Sequence, residues 1–327
     1  MTFLRKTLCA MALVGMGASA YAQTYPSKPM TLVVTFPPGA ATDTFARVAA
    51  ARMSELLGQQ MIVANRAGAG GITATQAAAR APADGYNLLW GTSGPMTISQ
   101  AWGVKLPYDT LKDFSPIGVF TRIPFFLVVH PSLPVKNPRD LVALARAKPG
   151  VLNYASGGVG GISHFAGEFF KALGKVNLVH VPYRGTAIFE SELISGLVEV
   201  AFVSPTIAQR NAARERLRVL ATTGAERSFL FPQVPTMIEG GVRGYQFGQW
   251  YGMLGPAKLS PPIVTTLNGA LMKSLEDPEV KKRIVAEGGT SSPNTPEQFA
   301  ASLETELKDF TRIIKAAGLE QKDTGGK

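Results

Sequence analysis

The sequence predicts an α/β fold of two similar lobes, each a sheet flanked by helices, with two crossover strands forming a hinge. Three observations predict it. Apolar runs of strand length alternate with amphipathic helical stretches through most of the chain, the pattern of parallel sheets with covering helices. A β-α-β-α-β succession occurs twice. Each occurrence opens on a glycine-punctuated turn from strand to helix, and the two turns lie about 120 residues apart. At 327 residues the chain is long enough for two cores.

Residues 1–22 have the three parts of an export signal. Arg5 and Lys6 form the charged start, residues 7–20 are mostly apolar, and Ala20-Tyr21-Ala22 is a small-residue cleavage site. The apolar run is too short to span a bilayer. Cleavage after Ala22 yields a mature chain from Gln23 and removes Cys9, the only cysteine. That excludes disulfides, cysteine-ligated metals and cysteine nucleophiles from the mature protein. Loss of Arg5 and Lys6 lowers the formal net charge from +10 to +8. The basic residues are dispersed. The densest cluster, Lys281-Lys282-Arg283, falls in a helix-like segment and reads as a solvated face. Nucleic-acid binding and a second membrane span are not expected.

The first lobe opens with an apolar strand over 30–34. A helix follows over 42–57, with Phe45, Val48, Ala49, Met53, Leu56 and Leu57 on one face and Gly58 as its stop. A strand over 61–64, an alanine-rich helix that follows Gly68-Ala69-Gly70-Gly71 and ends near Arg80, and a strand over 87–90 complete the first succession. A strand over 125–129 precedes Asn137-Pro138, a cap with proline at the first helical position, and that helix ends at Pro149-Gly150. The second succession has strands over 152–155, 177–181, 198–203 and 218–221, with helices starting near Ser163, Thr186 and Thr206. After a strand over 250–254 the remainder is almost wholly helical, with starts at Ser260-Pro261 and Thr295-Pro296 and Glu297 in the last first turn. These helices have no sheet of their own and are expected to return to the first lobe. Lobe 1 is therefore expected to comprise 23–123 and 246–327, and lobe 2 to comprise 124–245. A ligand would sit between the lobes, where strand ends meet helix starts.

The two turns carry the candidate site. The first reads Phe36-Pro37-Pro38-Gly39-Ala40-Ala41-Thr42-Asp43, and the second Ser156-Gly157-Gly158-Val159-Gly160-Gly161-Ile162-Ser163-His164. A helix start offers free N–H groups and the positive end of a dipole, which favours an anion. From the first turn Pro38, Gly39, Ala40, Ala41 and Thr42 are expected to contact ligand. Asp43 is expected to orient the loop, since its own charge would repel an anion. From the second turn the expected contacts are Ser156, Gly157, Gly160, Gly161, Ser163, which can cap the helix and still donate, and His164. Thr92 and Ser93 close a strand of the first lobe, and Arg184 and Ser204 follow strands of the second. All four are candidate contacts. His130 and His180 read as structural, and Trp250 as core. The run Gly68-Ala69-Gly70-Gly71 lacks the full dinucleotide fingerprint. No local hydrolase or metalloprotease motif is present, although a dispersed triad is a matter of geometry that sequence leaves open. No metal or cofactor is expected.

At these residues the chain resembles the Bug receptors, the periplasmic substrate-binding proteins of tripartite tricarboxylate transporters. Besides the first turn, the carriers are Tyr25-Pro26-Ser27-Lys28-Pro29, Asn65-Arg66-Ala67-Gly68-Ala69-Gly70-Gly71, Ala83-Asp84-Gly85-Tyr86 and Lys105-Leu106-Pro107-Tyr108-Asp109. They continue in Leu152-Asn153-Tyr154, Ser163-His164-Phe165-Ala166-Gly167-Glu168, His180-Val181-Pro182-Tyr183-Arg184-Gly185 and Val234-Pro235-Thr236-Met237. Their order runs through the whole mature chain. The resemblance implies a class II-like, two-lobed periplasmic binding protein, not an enzyme, that closes about a hinge on a small organic carboxylate: a di- or tricarboxylate or an aromatic acid. One ligand carboxylate would be gripped by the two loops. Implied partners are membrane permease subunits or, alternatively, a sensor kinase, and the receptor is expected to be a monomer in the periplasm. A periplasmic hydrolase or isomerase on the same fold is the remaining alternative. Two departures stand out. Ala40 occupies a position where the family usually has glycine, which narrows the loop. The stretch Phe202-Val203-Ser204-Pro205-Thr206 lacks the family's frequent acidic residue, which tilts the expectation from amines toward plain carboxylic acids.

Overall fold

A computed structural model describes residues 25–159, 161–183, 185–316 and 318. The export signal lies outside the described residues. In chain order the elements are β1 (Met30–Val34), α1 (Ala41–Leu57), β2 (Met61–Asn65), α2 (Ile72–Ala79), β3 (Asn87–Thr92), β4 (Phe114–Pro124) and β5 (Phe126–Val129). They continue with α3 (Pro138–Ala147), β6 (Asn153–Ser156), α4 (Ile162–Gly174), β7 (Val179–Pro182), α5 (Thr186–Ser195), β8 (Val200–Val203), α6 (Pro205–Ala212) and β9 (Arg218–Thr222). The chain ends with β10 (Gly248–Pro256), α7 (Pro261–Ser274), α8 (Pro278–Ala286), β11 (Thr290–Ser291) and α9 (Pro296–Ala316).

Two sheets form. The first has the order β11-β4-β10-β3-β1-β2, the second β7-β6-β8-β5-β9. Each is built on a parallel trio, β2-β1-β3 or β7-β6-β8. Each trio is extended by an antiparallel strand that has just arrived from the other sheet: β10 beside β3, and β5 beside β8. The register alternates as burial on both faces requires. Met30, Leu32, Val34, Leu88 and Trp90 join one core with Phe45 of α1 and Leu267 and Leu271 of α7. Leu89 and Trp250 face a second core with Phe299 and Leu303 of α9. The second sheet is covered likewise on its two faces. A fully buried Leu or Phe contributes about 1.5–3 kcal/mol relative to exposure.

The chain crosses between the sheets at Phe125 and again between Thr222 and Gly248. Thr223, with no exposed surface, ties the two crossings together. It accepts from Phe125 N at 2.7 Å and donates to Phe247 O at 2.6 Å, while its carbonyl accepts from Phe247 N at 2.9 Å. The topology fixes which ends of the sheets meet. β4 runs in the sense of β1 and β3, because both β4 and β3 are antiparallel to β10. The carboxyl end of β4 leads through one residue into β5, whose start lies at the carboxyl end of β8. The carboxyl ends of the two parallel trios therefore point toward each other, the arrangement that makes a ligand crevice in open α/β sheets.

Three expectations need correction. The sequence reading placed no strand over 114–124, yet β4 is the longest strand described. Pro116, Gly118 and Pro124 hide it, and they are tolerated because β11 covers only Thr121 and Arg122 along its outer side. The C-terminal helices do return to the first sheet, but α9 does not stop there: Phe310, Ile313 and Ile314 sit in the core of the second sheet. The C-terminal stretch also contains β11, which pairs with β4.

Candidate functional site

The first loop leaves β1 and enters α1. Gly39 takes φ 84°, the left-handed turn that aims the chain into the helix. The N-cap is Ala40, in extended conformation and without any side-chain acceptor. The first turn of α1 thus begins without the polar side chain that usually accepts its N–H groups. The loop is held from behind. Asp43, 4 % exposed, accepts from Gly39 N at 3.0 Å, Asn65 Nδ2 at 2.9 Å and Arg47 Nε at 3.0 Å. Asn65 Nδ2 also donates to Phe36 O at 3.0 Å. Burial opposes ionisation of Asp43, but Arg47, the Gly39 N–H and Asn65 outweigh it and hold the carboxyl below its ordinary range. Pro38 and Gly39 are exposed, Ala40 and Ala41 half-buried and Thr42 buried.

Beside this loop are two buried hydroxyls. Thr35 follows β1 and Thr92 ends β3, and among the described residues neither Oγ1 has a hydrogen-bond partner. Burying a hydroxyl without a partner is unfavourable by about 1–3 kcal/mol. Ser93 is oriented differently: its Oγ accepts from Trp250 N at 3.0 Å and holds β10. Both Thr92 and Ser93 have no exposed surface in this conformer.

The second loop leaves β6 and enters α4. Its N-cap is Gly161, extended and again without a side-chain acceptor. Ser163 lies inside the first turn rather than at the cap, and its Oγ accepts from Gly157 N at 3.1 Å, folding the loop over the helix start. Its own O–H is left to donate. Gly160 and Arg184 lie outside the described residues. Gly185, the N-cap of α5, donates to Gly157 O at 3.2 Å, so the starts of α4 and α5 adjoin. Ser204, the N-cap of α6 at the end of β8, makes no side-chain cap bond either.

Under the second loop runs a polar stack that sequence reasoning missed. Ser156 Oγ lies 2.7 Å from His180 Nε2 and accepts from Gly158 N at 3.2 Å. The His180 ring stacks on His164 at 4.2 Å and on Tyr154 at 4.8 Å. Tyr154 donates to Glu168 Oε1 at 2.5 Å, and Lys171 Nζ pairs with Glu168 at 2.8 Å. Burial, then the neighbouring His164, pushes the His180 pKa down to about 4, so the ring is neutral and can accept the Ser156 proton. Burial lowers His164 as well. Helix α4 sits close on this stack: a Cβ at Gly167 would lie 2.1 Å from the Tyr154 ring. The outer face of His164 meets Trp102, from the segment after β3, at 6.1 Å, and Trp102 meets Phe165 at 5.0 Å. The segment that follows β3 thus touches the helix that follows β6.

The geometry is that of two helix starts, one from each sheet, at facing strand ends. A family profile described as the tripartite tricarboxylate transporter family receptor, TctC, matches residues 45–319. The chain belongs to the TctC family. It is 31 % identical to the protein BugT of Bordetella pertussis, over 95 % of this chain and 96 % of that one. An R. palustris protein solved with adipate is 32 % identical, with a TM-score of 0.71 over 90 % of this chain and 98 % of that one. MatC of Rhodopseudomonas palustris, solved with bound malate, is 29 % identical, with a TM-score of 0.70 over 89 % of this chain and 100 % of that one. This TctC-family chain therefore has the two-lobed fold of periplasmic solute-binding receptors. Among its described residues no helix is long and apolar enough to cross a membrane.

Proposed function

We propose that the protein captures a small organic carboxylate between its two lobes and delivers it to a tripartite tricarboxylate-type permease. The lobes are 23–123 with 246–327, and 124–245, except that α9 braces both. The observation that carries this reading is the pair of helix starts without side-chain caps, at Ala40 and Gly161, beside the unpartnered hydroxyls of Thr35 and Thr92. The carboxylate accepts from N–H groups of α1 on one side and of α4 on the other, and Thr42, Thr92 and Ser163 add hydroxyl donors. Asp43 keeps the first loop in place from behind. His164 and Ser204 border the second side. The adipate and malate held by the two relatives are carboxylates of this kind.

Charge-assisted bonds contribute roughly 1.5–3 kcal/mol each. Three or four, less the ordering of ligand and lobes, give affinity near the micromolar range. The Ser156–His180 pair is not a nucleophile and base in this reading. Ser156 has no exposed surface, and its hydroxyl is engaged with Gly158 and His180. The protein acts by binding alone.

Thermal unfolding of the chain from Gln23, refolded to strip carried-over ligand, tests the proposal against dicarboxylates, tricarboxylates and aromatic acids. A ligand at 100 times its Kd adds about 2.7 kcal/mol, a rise of roughly 5–10 °C for a chain this size. No shift with any acid in the panel overturns the reading.

A further inference from the structure

A cavity of about 810 Å³ lies beside the crossing strands. Both crossings line it, through Arg122 to Pro124 and Gln246 to Gly248, together with the segment after β9 and one face of α9. None of the described residues of the loops 36–43, 92–93 and 156–164 borders it. Its size falls in the range of small-molecule sites, roughly 300–1,000 Å³.

The lining divides into two parts. One is apolar: Phe169, Phe247 and Phe310 pack edge-on and tilted at 5.2–5.9 Å. The other is polar and includes Arg122, Thr290, Ser302 and Thr305. Most charges here are already matched. Arg227 pairs with Glu239 at 2.9 Å and Arg312 with Asp309 at 2.8 Å, while Glu306 accepts from Thr97 at 2.9 Å and Trp250 Nε1 at 2.8 Å. Glu226 also borders the cavity. Arg122 is less fully matched. It is half-buried, and its one side-chain bond is a long one, from Nη2 to Ser302 Oγ at 3.4 Å. Glu306, on the same wall, attracts it electrostatically, but among the described residues no carboxylate lies within ion-pair distance of the guanidinium. A partly desolvated guanidinium with most of its donors unused favours a planar anion that accepts two of them at once.

We propose that this cavity is a second binding site, for a small amphiphile whose carboxylate head pairs with Arg122 and whose apolar body lies against Phe169, Phe247 and Phe310. The site is separate from the loop site and does not depend on the function proposed for it.

Calorimetric titration of the chain from Gln23 with octanoate tests this. The expected result is one octanoate per chain at this site, with octan-1-ol at least tenfold weaker because its head carries no charge. Arg122→Gln weakens octanoate at least tenfold. Thr305→Trp, which places an indole in the cavity from an exposed position on α9, abolishes binding and serves if the arginine variant does not fold. Gly161→Asp, in a loop that does not line the cavity, leaves octanoate binding unchanged. No octanoate binding, equal binding of the alcohol, or loss with Gly161→Asp but not with Thr305→Trp overturns the proposal.

Discussion

Two kinds of helix start divide this molecule. α3, α8 and α9 begin on side chains that accept their first N–H groups. Asn137 accepts from Asp140 N at 3.0 Å, Asp277 from Glu279 N at 2.9 Å, and Thr295 from Gln298 N at 3.2 Å with Gln298 bonding back to Thr295 N. α1, α4, α5 and α6 begin on Ala40, Gly161, Gly185 and Ser204, and none has a side-chain cap bond. These four follow β1, β6, β7 and β8, four of the six strands whose carboxyl ends face the other sheet, and α2, after β2, likewise starts at Gly71 without a side-chain cap bond. α7 also lacks a cap bond at Ser260, but Pro261 and Pro262 remove two of the donors that would need one. The difference teaches that local stability and ligand readiness compete for the same N–H groups. Where the fold alone is at stake the sequence supplies an acceptor, and where a crevice is formed it does not.

The sharpest way to break this comparison is to cap a helix of the second kind. Gly161→Asp puts one of the best N-cap residues at a position whose φ and ψ already suit it. Melting temperature should hold or rise while carboxylate affinity falls at least 100-fold, about 2.7 kcal/mol, since the new carboxylate occupies the ligand's place. Calorimetry and thermal unfolding read the two effects separately, and retained affinity would remove α4 from the site. Next in size is Asp43→Ala. It strips the support behind the first loop and leaves Gly39 N and Asn65 short of an acceptor, at a cost of about 1–3 kcal/mol in stability. Affinity should weaken with it, by titration with the ligand found in the acid panel. Asn137→Ala, at a capped start, should lose about 1 kcal/mol in chemical denaturation with ligand affinity unchanged. A change in affinity there would blur the division.

The smallest effect is a pH dependence. The His180 pKa is depressed to about 4, so between its ordinary value of 6.5 and 4 the unfolded chain binds the proton first. Stability is therefore lost as pH falls through that window, by about 1 kcal/mol once solvent screening of the half-exposed ring is allowed for. Glu306 runs the opposite way. Burial raises it to about 7, so its contribution declines as pH rises from 4.5 toward 7. The two oppose each other where they overlap. Denaturation of Glu306→Gln should accordingly steepen the loss of stability from pH 6.5 to 4.5, and an unchanged slope would deny Glu306 its buried state.

Much of the fold was legible because its signals are local. Apolar runs bounded by glycine gave β1, β6 and their helices, and Asn137-Pro138 announced α3 as the structure has it. β4 was not legible, since two prolines and a glycine break its pattern and only its place at the outer side of a sheet makes them harmless. At the site, the two glycine turns were readable but the boundaries of their helices were not. α1 was expected to begin at Thr42 and α4 to be capped by Ser163, whereas the helices start at Ala41 and Ile162, and the caps are Ala40 and Gly161. The stack of His164, His180 and Tyr154 depends on the register of β6 against β7, which sets Tyr154 opposite His180. No spacing within either strand encodes it.

The exchange of strands between the sheets also sets an order of events as the chain emerges from its amino end. The second sheet is drawn from one continuous stretch, 126–222, and can close as soon as that stretch is out. The first cannot. β4 is separated from β3 by β10, which comes more than 120 residues after β4 ends, so β2-β1-β3 and β4 must wait as unjoined pieces until residue 256 has appeared. Such long-range pairing is slow to form. The sheet that begins first is the sheet that finishes last.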